Sequence, residues 1–269
     1  MRLSCLILTK NNEITIRYAL DSIKPYADEI VIIDSGSTDR TLDIVQEYTS
    51  KIFRRELRSF SDQRNYGISK CSCDYILFLD SDELVGENFK QVMPYLEYNY
   101  QTISLPRYNI CALQPMEYII SRHHYRNWQN RIMRNNGISC YGDELVHERV
   151  VNHQPRLHNA VAHIFHLEYL LHGHEDRKKK TAFYENMAKG TGFPEYYLFE
   201  EYPYTTARTL ELPDRKILDR LRADQDLQRN RYESRTSVWT QMMQCGRWEV
   251  YKILTLLRAT TRRIVQWIR

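Results

Sequence analysis

Apolar and polar positions alternate in long blocks over the first hundred residues. Residues 3–8, 29–34 and 75–79 are short, nearly continuous apolar runs, the pattern of strands buried on both faces. Between them, residues 13–23, 38–48 and 59–69 place apolar side chains at helical spacing, and residues 51–54 read as a further short strand. Strand and helix recurring at this interval predict an α/β fold: a Rossmann-like, mostly parallel sheet flanked by helices. Thr9, Asp34 and Asp80 would then lie along one edge of the sheet, and the carboxyl edge of such sheets binds ligands.

After residue 99 the pattern weakens. Residues 100–110, 129–134, 137–141 and 160–166 read as extended pieces, 168–189 as one charged helix, and 215–230 as another. This divides the chain into residues 1–190, with a nucleotide-binding half to about 98 and an acceptor half from 99, and a helical extension over 191–269. In the extension, Val250, Ile253, Leu254, Leu257, Ile264, Val265 and Ile268 fall on one helical face, with Trp248 and Trp267 near the ends. Two readings stand: an interfacial helix on an anionic membrane over 248–268, or a helix packed on the globular part.

Charge sharpens that picture. The net charge is +4, yet residues 247–269 hold six cations against one anion, which leaves the remainder slightly acidic. A globally basic surface for nucleic acid is therefore not expected. The six cysteines are scattered without a Cys-x-x-Cys pair, the start of the chain lacks a signal-peptide pattern, and no apolar run reaches bilayer length. A cytoplasmic location, peripheral on the cytoplasmic membrane face if the tail binds lipid, is the expectation.

The chemistry is concentrated where the third apolar run meets Asp80-Ser81-Asp82-Glu83. Three carboxylates this close repel one another unless a cation lies between them, and two flanking one small residue can hold a divalent ion with positions left for a diphosphate. An Asp-rich turn capping a helix is the plainer reading.

Four motifs in order, Thr9-Lys10-Asn11-Asn12-Glu13, Asp34-Ser35-Gly36-Ser37-Thr38-Asp39, Gln63-Arg64-Asn65-Tyr66-Gly67 and Asp80-Ser81-Asp82-Glu83, resemble family 2 glycosyltransferases. With Val146-His147-Glu148 and His166-Leu167-Glu168-Tyr169, they resemble most the lipopolysaccharide inner-core glucosyltransferase-like subgroup, over roughly residues 1–185. The resemblance implies a GT-A fold and a nucleotide-sugar donor, with UDP foremost. It also implies a divalent metal (Mn2+ or Mg2+), inversion at the anomeric carbon, and a glycan or lipid-linked acceptor in surface polysaccharide assembly. By motif, Thr9, Asn11, Glu13, Asp34, Arg64 and Asp80 would contact the nucleotide. Asp82, Asp80 and His166 would hold the metal. Glu148 would be the catalytic base, with Asp143 and Glu144 as its competitors; His147 and His163 are read as structural. Gln129 to Arg134 resembles the family's Arg-rich strand. The Gln-x-x-Arg-Trp motif and membrane spans of the processive synthases do not occur, which favours addition of a single sugar. Two other readings stay open: a nucleotidyltransferase, disfavoured because the loop after the first strand has no glycine, and a degenerate, membrane-associated scaffold. The run Arg177-Lys178-Lys179-Lys180 reads as a solvated helix face or as a seat for an acceptor phosphate.

Overall fold

The structure, a computed structural model, describes residues 1–121, 123–124, 127–201, 205–210, 219–221 and 223–224. These fall in one compact unit, Met1–Tyr232. In chain order the elements begin β1 (Leu3–Thr9), α1 (Ile16–Ile23), β2 (Glu29–Asp34), α2 (Thr41–Gln46), β3 (Ile52–Arg54), α3 (Phe60–Ile68) and β4 (Tyr75–Asp80). Then come β5 (Glu83–Val85), β6 (Thr102–Leu113), β7 (Met116–Ile120), β8 (Asn127–Arg134), β9 (Cys140–Tyr141), β10 (Val150–Val151), β11 (Arg156–His158) and β12 (Ile164–His166). The described elements end with α4 (Glu168–Leu171), α5 (His174–Met187), α6 (Pro194–Tyr197) and β13 (Thr206–Thr209).

The expected parallel sheet is present in the order β3-β2-β1-β4. Its apolar runs are continuous because both faces are covered. Leu3, Cys5 and Ile7 of β1 join Ile30 and Ile32 of β2 and Tyr75, Leu77 and Leu79 of β4 on the face that receives Ile16, Ala19, Leu20 and Ile23 of α1. The alternate residues Leu6, Leu8, Val31, Ile33, Ile76 and Phe78 fill the other face, beside α3. Gly67 is what lets α3 approach: a Cβ there would stand 2.6 Å from the Leu6 methyl carbons. The helical readings of the first half hold with shorter ends, since the loops flanking α1 and α2 are committed to each other.

Beyond β4 the sheet continues antiparallel through β8, β6 and β7 to β13. β12 lies parallel to β6 and antiparallel to β5. The single helix expected over 168–189 is two helices, α4 and α5, broken at His172, which is extended, and Gly173. Residues 206–209, expected within a helical extension, form a strand hydrogen-bonded to β7. The amphipathic stretch 248–268 lies outside the described residues, as does most of 215–230. Among the described residues no helix is long and apolar enough to cross a membrane.

Candidate active site

Strand register gathers the site. Thr9 pairs with Asp34, and Leu8 with Asp80, so the three parallel strands end on one edge. His166 pairs with Glu83 on one side and Asn109 on the other, which carries the late histidine to the acidic strand end.

The first two loops are bound to each other. The Asn11 N–H donates to Ser37 Oγ (3.0 Å) and its side-chain oxygen accepts from the Thr38 N–H (2.8 Å). The Glu13 N–H donates to Asp39 (3.1 Å), and the Glu13 carboxylate accepts from the Arg40 N–H (3.1 Å). Thr9 Oγ1 donates to Asn12 Oδ1 (3.1 Å). Asp34, 1% exposed, accepts from the Gly36 N–H (2.9 Å), the Ser37 N–H (3.1 Å) and Ser37 Oγ (2.5 Å). Gly36 has φ +92°, a backbone that suits only glycine well, and this curls the turn around the carboxylate. Asp34, expected to contact the nucleotide, here caps the turn that follows its own strand.

Beneath the acidic strand end lies a layer of buried ion pairs. Arg64 donates Nη2 to Asp80 (2.8 Å) and Nε to Glu148, so one guanidinium bridges the two carboxylates. Arg131, on β8, donates to Asp80 (2.9 Å) and to Glu83, and Arg107, on β6, reaches Glu83 (3.2 Å). Glu83 is fully buried. Burial opposes ionisation of Asp80, but Arg131 and Arg64 outweigh it and hold the carboxyl well below the usual range. Arg107 and Arg131 are functional candidates that motif reading left unassigned individually; each sits on a strand facing β4 or its neighbour, a position visible only once strand order is known.

The candidate metal centre is Asp82, His166 and Glu168, whose ligand atoms lie within 4.8 Å of one another. Asp80 is not in this group, because both its oxygens face arginines. Glu168 was missed, although a carboxylate two residues beyond a histidine at a strand-to-helix junction was a usable signal. His166 Nδ1 faces Asn109 Oδ1 (2.9 Å) and Nε2 faces Asp82 (3.3 Å). The same Asn109 oxygen accepts from Tyr196 Oη (3.0 Å), which accepts from Arg107 (2.9 Å). An oxygen at that point makes Nδ1 a donor and turns Nε2 toward Asp82. Burial works against the Asp82 charge, but His166 and Lys180 draw its carboxyl down to about 2. Glu168 is fully buried; one oxygen takes Lys180 Nζ (2.6 Å) and the other, Oε1, has no hydrogen-bond partner.

Glu148 points inward to Arg64, whereas Asp143 and Glu144 are exposed. His147, with φ +55°, donates Nε2 to the Thr191 carbonyl (2.8 Å) and packs against the rings of Phe193 and Tyr184. His163 is buried against Tyr108, and burial lowers its pKa to about 4.

Residues 4–146 match the family described as Glycosyl transferase family 2. The chain belongs to that family. The family 2 chain is 32% identical over 107 residues to a Rickettsia bellii protein described as an uncharacterized glycosyltransferase, covering 40% of this chain and 35% of that one. It is 30% identical over 99 residues to the lipopolysaccharide core biosynthesis glycosyltransferase LpsC of Rhizobium meliloti, covering 35% and 36%. It thus spans about a third of the length of the curated relatives it matches. Among solved structures, Staphylococcus aureus TarS (residues 1–349) aligns at 18% identity and TM-score 0.44, covering 74% of this chain and 69% of that one. Glucosyl-3-phosphoglycerate synthase of Mycobacterium tuberculosis with Mg2+ and UDP aligns at 24% identity and TM-score 0.34, covering 40% and 43%. The expected α/β, GT-A type of fold accords with the family and with the sheet described above.

Proposed function

We propose that this chain is a metal-dependent, inverting glycosyltransferase. It moves one sugar from a nucleotide-sugar, UDP-linked in the leading case, to a glycan or lipid-linked acceptor of surface polysaccharide or lipopolysaccharide assembly. The observation that carries the reading is the Asp82–His166–Glu168 group at the carboxyl edge of the parallel strands. The match of LpsC supports the acceptor class.

The donor set suits a divalent ion. It offers two carboxylates, Asp82 and Glu168, the latter with a buried oxygen that lacks a partner, and one imidazole whose ring Asn109 orients. Asp82, His166 and Glu168 would hold Mn2+ or Mg2+, and the ion would neutralise charge on a departing diphosphate. The interlocked loops 9–13 and 35–41 would form the wall against which the nucleotide lies. Asp34 supports that wall through Gly36 and Ser37, and Asn11 and Glu13 hold its two halves together.

Transfer breaks the bond from the anomeric carbon to the diphosphate oxygen while the acceptor oxygen attaches from the opposite face. The acceptor hydroxyl then needs a base. Glu148 fills that role in this reading: Arg64 orients it, and the same guanidinium ties it to Asp80. The stretch 248–268 is proposed to bring the enzyme to an anionic membrane surface.

The test is calorimetric titration with UDP, with and without Mn2+, on the wild type, Asp82→Asn and Glu148→Gln, alongside transfer assays with UDP-sugars. Metal-dependent binding that disappears in Asp82→Asn, and binding without transfer in Glu148→Gln, are expected. Full transfer by Glu148→Gln, or metal-independent binding unchanged in Asp82→Asn, defeats the assignment.

A further inference from the structure

Lys180 is the unexpected member of the site. It belongs to a run of four cations on α5, yet the run divides sharply. Lys178 and Lys179 are exposed, while Arg177 is buried. Arg177 donates Nη1 to the Tyr197 carbonyl (2.9 Å), donates Nε to the His172 carbonyl (3.1 Å), and pairs with Glu200. This fixes the rotation of α5. Lys180, three residues on and therefore on the same face, is turned toward the Asp82–His166–Glu168 group. Its ammonium lies 2.6 Å from Glu168 Oε2, between the rings of Tyr184 (5.9 Å) and Tyr197 (5.4 Å), and it acts electrostatically on Asp82. The side chain remains 31% exposed, so it is not sealed away from the cleft.

The charges are informative. Asp82 and Glu168 carry two negative charges, and Lys180 offsets one of them. A divalent ion at the group would offset both, which leaves the Lys180 charge without its partner just where a diphosphate would approach. Lysine suits such a change of partner, being a compact charge on a flexible stem with three donors.

We propose that Lys180 serves two partners in turn: it is the counter-ion of Glu168 before the metal arrives, and it is handed to the donor diphosphate once the metal holds Glu168. Lys180 is in this assignment a diphosphate-contacting residue of the transferase. The assignment rests on the glycosyltransferase reading above.

The experiment titrates the full chain with Mn2+ alone. At saturating Mn2+ it then titrates UDP, GDP and dTDP, each beside its monophosphate, for the wild type, Lys180→Met and Lys180→Arg. Lys180→Met is expected to bind Mn2+ alone roughly three-fold more tightly or better, because an ion pair no longer competes. It is expected to lose about ten-fold or more in affinity for the bound diphosphate but little for the corresponding monophosphate, and Lys180→Arg is expected to restore most of that loss. Equal losses for diphosphate and monophosphate, or Mn2+ affinity unchanged or weakened in Lys180→Met, overturn the proposal and reduce Lys180 to a brace for α4. A wild type that takes up neither Mn2+ nor any of the nucleotides overturns the transferase reading itself, and the Lys180 assignment with it.

Discussion

Replacing Arg131 by Met probes the ion layer under the active site. Arg131 is 5% exposed and stands between Asp80 and Glu83. Methionine fills much of the same volume but leaves Glu83, which is fully buried, with Arg107 alone at 3.2 Å, and Asp80 with Arg64 alone at 2.8 Å. Breaking one partner out of a buried pair costs about 3–5 kcal/mol, because the remaining charge is left in a poor solvent. For a domain of this size each kcal/mol lowers the melting temperature by roughly 2–4 °C, so a fall of roughly 6–20 °C is expected. Thermal unfolding followed by circular dichroism measures it. The double variant Arg131→Met with Glu83→Gln should recover part of the loss, since it removes the stranded charge along with its partner. A single variant that melts within about 2 °C of the wild type would show that the layer does not carry stability in this way.

Three further outcomes are expected. Gly67→Ala should destabilise the protein by about 1–3 kcal/mol, measured by urea unfolding, because its Cβ meets the fully buried Leu6 at 2.6 Å; an unchanged midpoint would contradict that packing. Burial opposes the Glu29 charge, but Lys51, Ser4 and Ser72 more than compensate and lower its carboxyl from 4.5 to about 2. The depressed value means a contribution of up to about 3 kcal/mol that is present above pH 4.5 and lost as pH falls through 2, so the stability gap between wild type and Glu29→Gln should close over that interval; a gap constant with pH would refute it. Deleting residues 248–269 should weaken flotation with anionic vesicles, and equal flotation of both chains would dismiss membrane binding by that stretch.

The first half of the fold was legible because both faces of β1, β2 and β4 are buried, which makes their sequences continuous apolar runs. β2 was read to the residue. The second half hid its strands for physical reasons. β7 follows directly after Gln114-Pro115, where a proline masks a strand start, and β5 is three residues embedded between the acidic motif and a glycine. Motif order singled out Asp82, His166 and Glu148, and strand register accounts for the meeting of the first two. The partition of roles was not: Asp80 turns to two arginines rather than to the cation group, a choice made by Arg131 on β8, fifty-one residues away. Lys180 looked like one of four equivalent surface charges until the anchoring of Arg177 set the helix rotation.

The pairing of β13 with β7 bears on how this chain can be cut. Ile119 and Ile120 of β7 face Ala207 and Thr206 across a ladder that closes this end of the sheet. A chain shortened at residue 190, where the sequence pattern places a boundary, would strip that cover and leave β7 as a bare, apolar edge. Unpaired edges of that kind recruit strands from other molecules. Residues that carry no recognisable catalytic motif are therefore expected to guard β7 against self-association, and a truncation that keeps this ladder intact extends at least through Thr209.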